Sequence, residues 1–253
     1  MISVLIPTYN QPEALDLCLQ SLILGQDELN EVIVIENGYC EQNQQVFEKW
    51  KKHINVLPFE ENVGMSRALN MGVYNATCNN ILITHDDMVF PKKWDYKLST
   101  FTKYKNAVIT LNSIEPTPSM FKQFNIKDLG RNPSSFNLQK FWEYEENICL
   151  DKIDESGSTF PFMMNKYDYL RIGGFDDNYP GPWVVDWEFF LKCKMSNMKM
   201  IRTYNCYLYH FVSLSTRTPE KIIENKTIEQ QCHNFAYYKW GSFIFHNPEN
   251  NDK

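Results

Sequence analysis

His85, Asp86 and Asp87 follow one another in this chain and are its densest group of metal-capable side chains. Two adjacent carboxylates repel each other. A divalent cation relieves that repulsion and still leaves places for phosphate oxygens. The three residues follow the apolar run Ile81–Thr84, which puts them at a strand end. The competing reading is a polar turn whose Asp caps the next helix. Tyr9 also follows an apolar run, and its ring can stack on a flat base or simply pack. Glu36 can accept a hydrogen bond from a base or ribose, or sit in a solvated turn. Arg67, at the start of a helical stretch, can pair with a diphosphate or with a nearby carboxylate.

The elements around these residues alternate in type. Ile2–Ile6 is a short apolar run closed by Pro7. Pro12 opens a helical pattern carried by Leu15, Cys18, Leu19 and Leu22 and stopped at Gly25. Val32–Ile35, Ile54–Leu57, Ile81–Thr84 and Ala107–Leu111 read as further strands. Residues 41–52, 65–76 and 91–103 read as the helices between them. Repeated strand–helix–strand units with apolar strands imply a mostly parallel sheet covered on both faces. Ligands of such sheets bind at the carboxyl ends of the strands. Pro7-Thr8-Tyr9-Asn10, Glu36-Asn37-Gly38, Asn62 to Arg67 and His85-Asp86-Asp87 all fall there. The second half is less regular. Residues 112–137 read as a long excursion, 138–147 as an aromatic helix and Ser158–Asn165 as a strand. A helix follows to about Met195, with Trp183, Trp187, Phe190 and Leu191 as its buried face. Met200–Thr203 and Cys206–Phe211 read as two strands, 219–238 as a closing helix and the last dozen residues as a polar tail.

Composition excludes several classes. The chain has 253 residues, 43% hydrophobic, enough for one sizeable core. Its net charge of −6 argues against a grip on nucleic-acid backbone. The seven cysteines form no CxxC pair or Cys/His cluster, so a disulfide framework or a structural zinc site is not expected. The longest apolar runs are too short to span a bilayer, and the first residues lack a basic leader. A soluble, cytoplasmic protein is therefore expected, with peripheral membrane contact left open. The turn after the first strand is PTYN rather than GxGxxG, which speaks against a dinucleotide-binding oxidoreductase. GxxxxGK[ST] is absent, and so is the Gly-rich, Lys-containing loop of a sugar nucleotidyltransferase.

The order of motifs says more than any one of them. PTYN, ENG, ENVGMSRALNMG, HDD-x-x-x-P, GGFDD, VDWEFF and a late HFVSLST resemble, over residues 1–217, the family 2 glycosyltransferases of the GT-A fold. The resemblance implies one Rossmann-like domain over residues 1–253, a mostly parallel α/β sheet flanked by helices. Residues 1–111 would be the nucleotide-sugar half, 112–217 an irregular acceptor-side half, and 218–253 a C-terminal helix and tail. Pro7, Thr8, Tyr9, Asn10, Glu36, Asn37, Asn62, Gly64 and Arg67 would border the nucleotide and diphosphate.

His85-Asp86-Asp87 would be the DxD-type motif, with His85 in place of its first Asp. Asp87 would bind the metal, together with the late His210, and His85 and Asp86 would lie toward the sugar. A Mn or Mg cation is implied. Asp186 would be the catalytic base, with Val185 where the family has a Glu. Gly174, Trp183, Trp187 and Glu188 would lie toward the acceptor. An Asp with an ordinary pKa of about 3.9 is ionised at neutral pH and can take the proton of an attacking hydroxyl late in the reaction. Transfer from a nucleoside-diphosphate sugar, UDP favoured, to a glycan, lipid-linked or protein-linked acceptor with inversion is the implied activity. The alternative is a non-catalytic sugar- or nucleotide-sugar-binding protein on a decayed transferase fold, which His85 and Val185 would support.

Overall fold

The computed structural model describes residues 1–117, 125–212 and 222–242. The expected tail and the residues after Val212 in the late motif lie outside them, as do 118–124 of the expected excursion. β1 (Ser3–Thr8), α1 (Pro12–Gly25), β2 (Glu31–Asn37), α2 (Glu41–Trp50), β3 (Asn55–Phe59), α3 (Met65–Asn75) and β4 (Asn80–Ile83) alternate as the sequence implies. Then come β5 (Met88–Val89), α4 (Trp94–Ser99), β6 (Ala107–Glu115), β7 (Asn125–Ile126), a 3-10 turn at Pro133–Ser135 and α5 (Leu138–Ile148). β8 (Ile153–Asp154), β9 (Phe162–Asn165), α6 (Lys166–Arg171), α7 (Val185–Met195), β10 (Lys199–His210) and α8 (Ile222–Trp240) complete the described chain. No helix among the described residues is long and apolar enough to cross a membrane.

One sheet runs in the order β3-β2-β1-β4-β9-β6-β10-β5, with β7 paired to β6 and β8 to β10. β1 is parallel to both β2 and β4. β9 is antiparallel to β4 and to β6, so β4 and β6 point the same way. β10 is parallel to β6 and joins that direction.

Both faces are covered. Val4, Ile6, Val32, Val34 and Leu82 pack against Leu15, Leu19 and Leu22 of α1 and Trp94 and Leu98 of α4. Leu5, Ile33, Ile35, Ile81 and Ile83 face the other way, onto Leu69 and Val73 of α3 and Phe189 and Phe190 of α7. Strands buried on both sides are apolar at most positions, which is why they read as near-continuous apolar runs.

Three expectations change. Residues 112–115 are not excursion but the buried end of β6. The two late strands are one, β10, whose register shifts between Arg202 and Tyr207. The helix expected over 91–103 is only Trp94–Ser99, because Lys93 before it is left-handed at φ 56°. Phe141 of the aromatic helix α5 is core, packed with Ile114, Tyr207 and Tyr209. Short α6 carries little periodicity and has no counterpart in the sequence reading; Asn165 caps it by accepting from the Tyr167 N–H.

The loop from Gly173 to Val184 brings the chain back to the start of α7, and Asn70 of α3 clamps it. Asn70 Nδ2 donates to the Phe175 carbonyl at 2.8 Å. Its Oδ1 accepts from the Phe175 N–H at 3.0 Å and from the Tyr169 hydroxyl at 2.6 Å. Gly174 allows this approach: its φ is +58°, and a Cβ there would lie 2.5 Å from Asn70 Oδ1. Asn70→Ala removes all three bonds and leaves the Phe175 carbonyl and the Tyr169 hydroxyl short of partners. A loss of about 2–4 kcal/mol is expected, read as a lower urea midpoint at unchanged slope.

Candidate active site

Strand direction assembles the site. β1, β2 and β4 deliver Thr8–Asn10, Glu36–Gly38 and Thr84–Asp87 to a single edge of the sheet. β6 and β10 bring Glu115 and His210 to the same edge. β5 pairs Met88 with His210, and the Phe211 N–H donates to the Asp87 carbonyl at 3.2 Å. These bonds hold His210, distant in sequence, beside Asp87.

The side formed by β1, β2 and α3 is a polar shelf. Pro7 and Thr8 close β1, and Thr8 is buried. Asn10 takes a left-handed φ of 53° to turn the chain out. Tyr9 is 40% exposed, so one side of its ring is open for stacking. Its other side lies over Gly38, where a Cβ would come within 3.2 Å of the ring. Asn37 Nδ2 donates to Asn62 Oδ1 at 3.0 Å, and Asn37 Oδ1 accepts from the Val63 N–H. Asn62 Oδ1 also accepts from the Gly64 N–H. Glu36 is buried and accepts from the Cys40 N–H at 3.1 Å and Gln44 Nε2 at 3.0 Å. Arg67 is exposed on the first turn of α3 and makes no ion pair among the described residues.

One ligand atom each from His85, Asp87 and His210 lie within 4.8 Å of one another. His210 Nε2 is 3.5 Å from Asp87 Oδ2, and His210 Nδ1 is 3.2 Å from Glu115 Oε1. His85 Nε2 and Asp87 Oδ1 are buried without a hydrogen-bond partner. An ion or a water is one of the groups that can meet such buried polar atoms. Two imidazoles and a carboxylate are a donor set suited to a divalent transition metal. His85, expected toward the sugar, thus stands with the metal-capable pair.

The charges are strongly coupled. Burial pushes His85 down to about 4, so its ring is neutral at pH 7 with a lone pair to offer. Burial would raise Asp87, but the His210 ring holds it below the usual carboxylate range. Burial works against a charge on His210 too, yet Asp87 and Glu115 raise it to about 10. Burial and neighbouring Asp87 push Asp86 up to about 7.

α7 runs from this edge toward the start of β10 at the opposite one, so its first turn points at the site. Val184, left-handed at φ 71°, occupies the N-cap position; Asp186 is the second helical residue and not the cap. It is half-buried, and burial raises it to about 6, above the ordinary value the sequence suggests, although the N–H groups of Trp187 and Asp186 favour its charge. Phe160, whose ring lies 4.7 Å from His85 and 6.5 Å from Phe190, spans the gap between the cation cluster and α7.

The four residues expected toward the acceptor lie around α7. Gly174 sits under the Asn70 clamp. Trp183 and Trp187 pack toward α8, Trp187 with its ring 5.6 Å from His233. Glu188 is buried and pairs with Lys239 of α8, which also holds Asp176 at 2.6 Å. The sequence reading missed Glu115, Phe160 and Asn70. Glu115 had no clear signal, because Asn112 and Ser113 interrupt the apolar run after Leu111. Asn70 lay inside the ENVGMSRALNMG run without a stated role, and Phe160 had no signal.

Residues 3–171 match the family model described as Glycosyl transferase family 2. The amylovoran biosynthesis glycosyltransferase AmsE of Erwinia amylovora is 31% identical over 190 residues, 68% of this chain and 69% of that protein. Among solved structures, S. aureus TarS 1-349 superposes with a TM-score of 0.62 at 14% identity, over 94% of this chain and 72% of that one. GalNAc-T7 with UDP, GalNAc and Mn2+ superposes with a TM-score of 0.60 at 13% identity, over 83% of this chain and 43% of that one. These two likenesses are of fold.

Asp186 makes stability pH-dependent. The folded carboxyl, at about 6, keeps its proton to higher pH than the unfolded one. The metal-free protein therefore loses stability as pH rises from about 4 to about 6. Asp186→Asn does not titrate. It is expected to melt a few degrees above the parent at pH 8 and level with it at pH 4, by calorimetry.

Proposed function

This chain belongs to glycosyl transferase family 2 and is a glycosyltransferase of the GT-A fold, and from that we propose a metal-dependent inverting transfer from a nucleoside-diphosphate sugar to a glycan hydroxyl, with Asp186 as base. The observation that carries the metal reading is the pair of orphaned buried atoms, His85 Nε2 and Asp87 Oδ1, facing His210 at the carboxyl edge. His85, Asp87 and His210 would hold the cation. When bound, it supplies positive charge to the departing diphosphate as a Lewis acid. Imidazole donors favour Mn over Mg. UDP, the nucleotide crystallised with GalNAc-T7, is the first donor nucleotide to test.

The chain's own residues supply the rest. Tyr9 stacks on the base, and the Asn37–Asn62 shelf fixes the loop beside it. Arg67, free of ion pairs among the described residues, meets the diphosphate. Asp86 lies toward the ribose or sugar. Asp186 takes the acceptor proton as the oxygen attacks the anomeric carbon. Raised to about 6, it remains ionised at pH 7 and is a stronger base than an ordinary Asp. We read residues 1–111 as the donor side and 112–217 as the acceptor side of one domain.

A decayed binding protein is less well supported. His85 fits the cation cluster, and Val185 is buried, 1% exposed, in the cluster that joins α7 to α8. A carboxylate at that position would need a buried partner, so the departure at 185 follows from packing.

Two experiments test the proposal. Calorimetry of UDP with chelator, Mg and Mn is expected to show tight binding only with the cations, strongest with Mn. Asp87→Ala should abolish the cation effect; equal affinity in all three conditions overturns the metal assignment. For the base, turnover of UDP-sugars by Asp186→Asn should fall by about two to four orders of magnitude with donor affinity retained. The parent's rate should fall as pH drops through about 6, where Asp186 protonates. An Asn variant that kept most of its turnover would remove Asp186 from the mechanism.

A further inference from the structure

Glu115 ends β6 directly behind His210. It is 3% exposed, and its Oε1 lies 3.2 Å from His210 Nδ1. The other nitrogen of that ring, Nε2, faces Asp87 Oδ2 at 3.5 Å. An imidazole nitrogen that carries a proton cannot also bind a metal. With Nδ1–H donating to Glu115, Nε2 is the nitrogen left for a cation shared with Asp87 and His85. The backbone does not settle this: pairing of His210 with Met88 and the Phe211 N–H bond to Asp87 fix the strand, but they leave the ring free to turn about its side-chain torsions. Among the described residues, Glu115 is the group bonded to Nδ1.

We propose that Glu115 is a positioning residue, which acts through His210 to hold Nε2 toward the cation position beside Asp87 and His85. This rests on the cation reading above. Glu115 touches neither donor nor acceptor, so its effect is on the affinity of the site for metal. A carboxylate behind a metal-bound histidine sets ring orientation and raises ligand basicity, and its loss commonly costs 10–100-fold in metal affinity.

Glu115→Leu removes the acceptor, while Glu115→Gln keeps an oxygen for Nδ1–H and loses the charge. Free Mn2+ is measured by electron paramagnetic resonance, with UDP present. The Leu variant is expected to bind Mn2+ about 10–100-fold more weakly, with much of the loss restored in the Gln variant. In a His210→Ala background, Glu115→Leu should add no further loss, because its partner is gone. In the metal-free protein with 15N-labelled histidine, the His210 Nδ1–H resonance should lie downfield. It should lose that position in Glu115→Leu and largely keep it in Glu115→Gln.

Parent-like Mn2+ affinity in the Leu variant overturns the proposal, and so does an equal extra loss in the His210→Ala background. If the parent itself binds no Mn2+, the cation reading fails. The ring spectrum then decides on Glu115 alone, and an unmoved Nδ1–H signal in the Leu variant rejects its role. Should the Leu variant not fold, the parent and Gln spectra carry the same decision: an Nδ1–H signal without a downfield position in the parent rejects the role.

Discussion

β9 runs against the strands on both of its sides, so it points back while β4 and β6 point the same way. Had β9 been parallel, its amino end would lie at the opposite edge and Phe160 would be far from His85. As built, the start of β9 lies at the carboxyl edge, where Phe160 meets His85 and the aromatic group on α7. β10 then runs parallel to β6, with one shift of register, and ends beside Asp87. Groups from β1, β2, β4, β6 and β10 thus meet at one edge, although more than two hundred residues separate Thr8 from His210.

The electrostatics of that edge are out of balance. His210 sits between Asp87 and Glu115, one cation against two anions, with Asp86 adjacent in sequence. Buried charge of one sign is costly unless neutralised. The protein answers in part by protonation: Asp86 is raised to about 7 and His210 to about 10. A bound dication would answer the rest, and His85, neutral through burial, adds a donor without adding charge. A cation there would compete with the proton for Nε2 of His210, which would tie cation affinity to pH.

Asp186 is placed by a second set of contacts. The Asn70 clamp fixes the Gly174–Phe175 turn, and Lys192 of α7 donates back to the Gly174 carbonyl. Lys239 of α8 pairs with Asp176 and with Glu188, joining the end of the chain to both sides of the loop. Asp186 lies between these anchors, at the end of α7 where backbone N–H groups face outward and favour a carboxylate. Glu188, two residues on, points into the body of the protein and is neutralised there. Two carboxylates separated by one residue thus have different surroundings.

The sequence alone determined the alternating strands and helices of the first half and the residues at the ends of the early strands. Unbroken apolar runs can only be strands covered on both faces, and the polar clusters after them have to lie at the carboxyl edge. The HDD and DWE segments were legible for the same reason, as chemistry-bearing residues at element ends. Only tertiary structure decided the partners. His85 joined the metal-capable group because β10 and β5 pair across a long sequence gap. Glu115 came within reach because β6 runs four residues past Leu111. Asp186 took a raised pKa because burial in the folded chain disfavours its charge. Local patterns record which face of an element is apolar. They do not record strand order, ring orientation or desolvation, since these depend on residues that are neighbours only after folding.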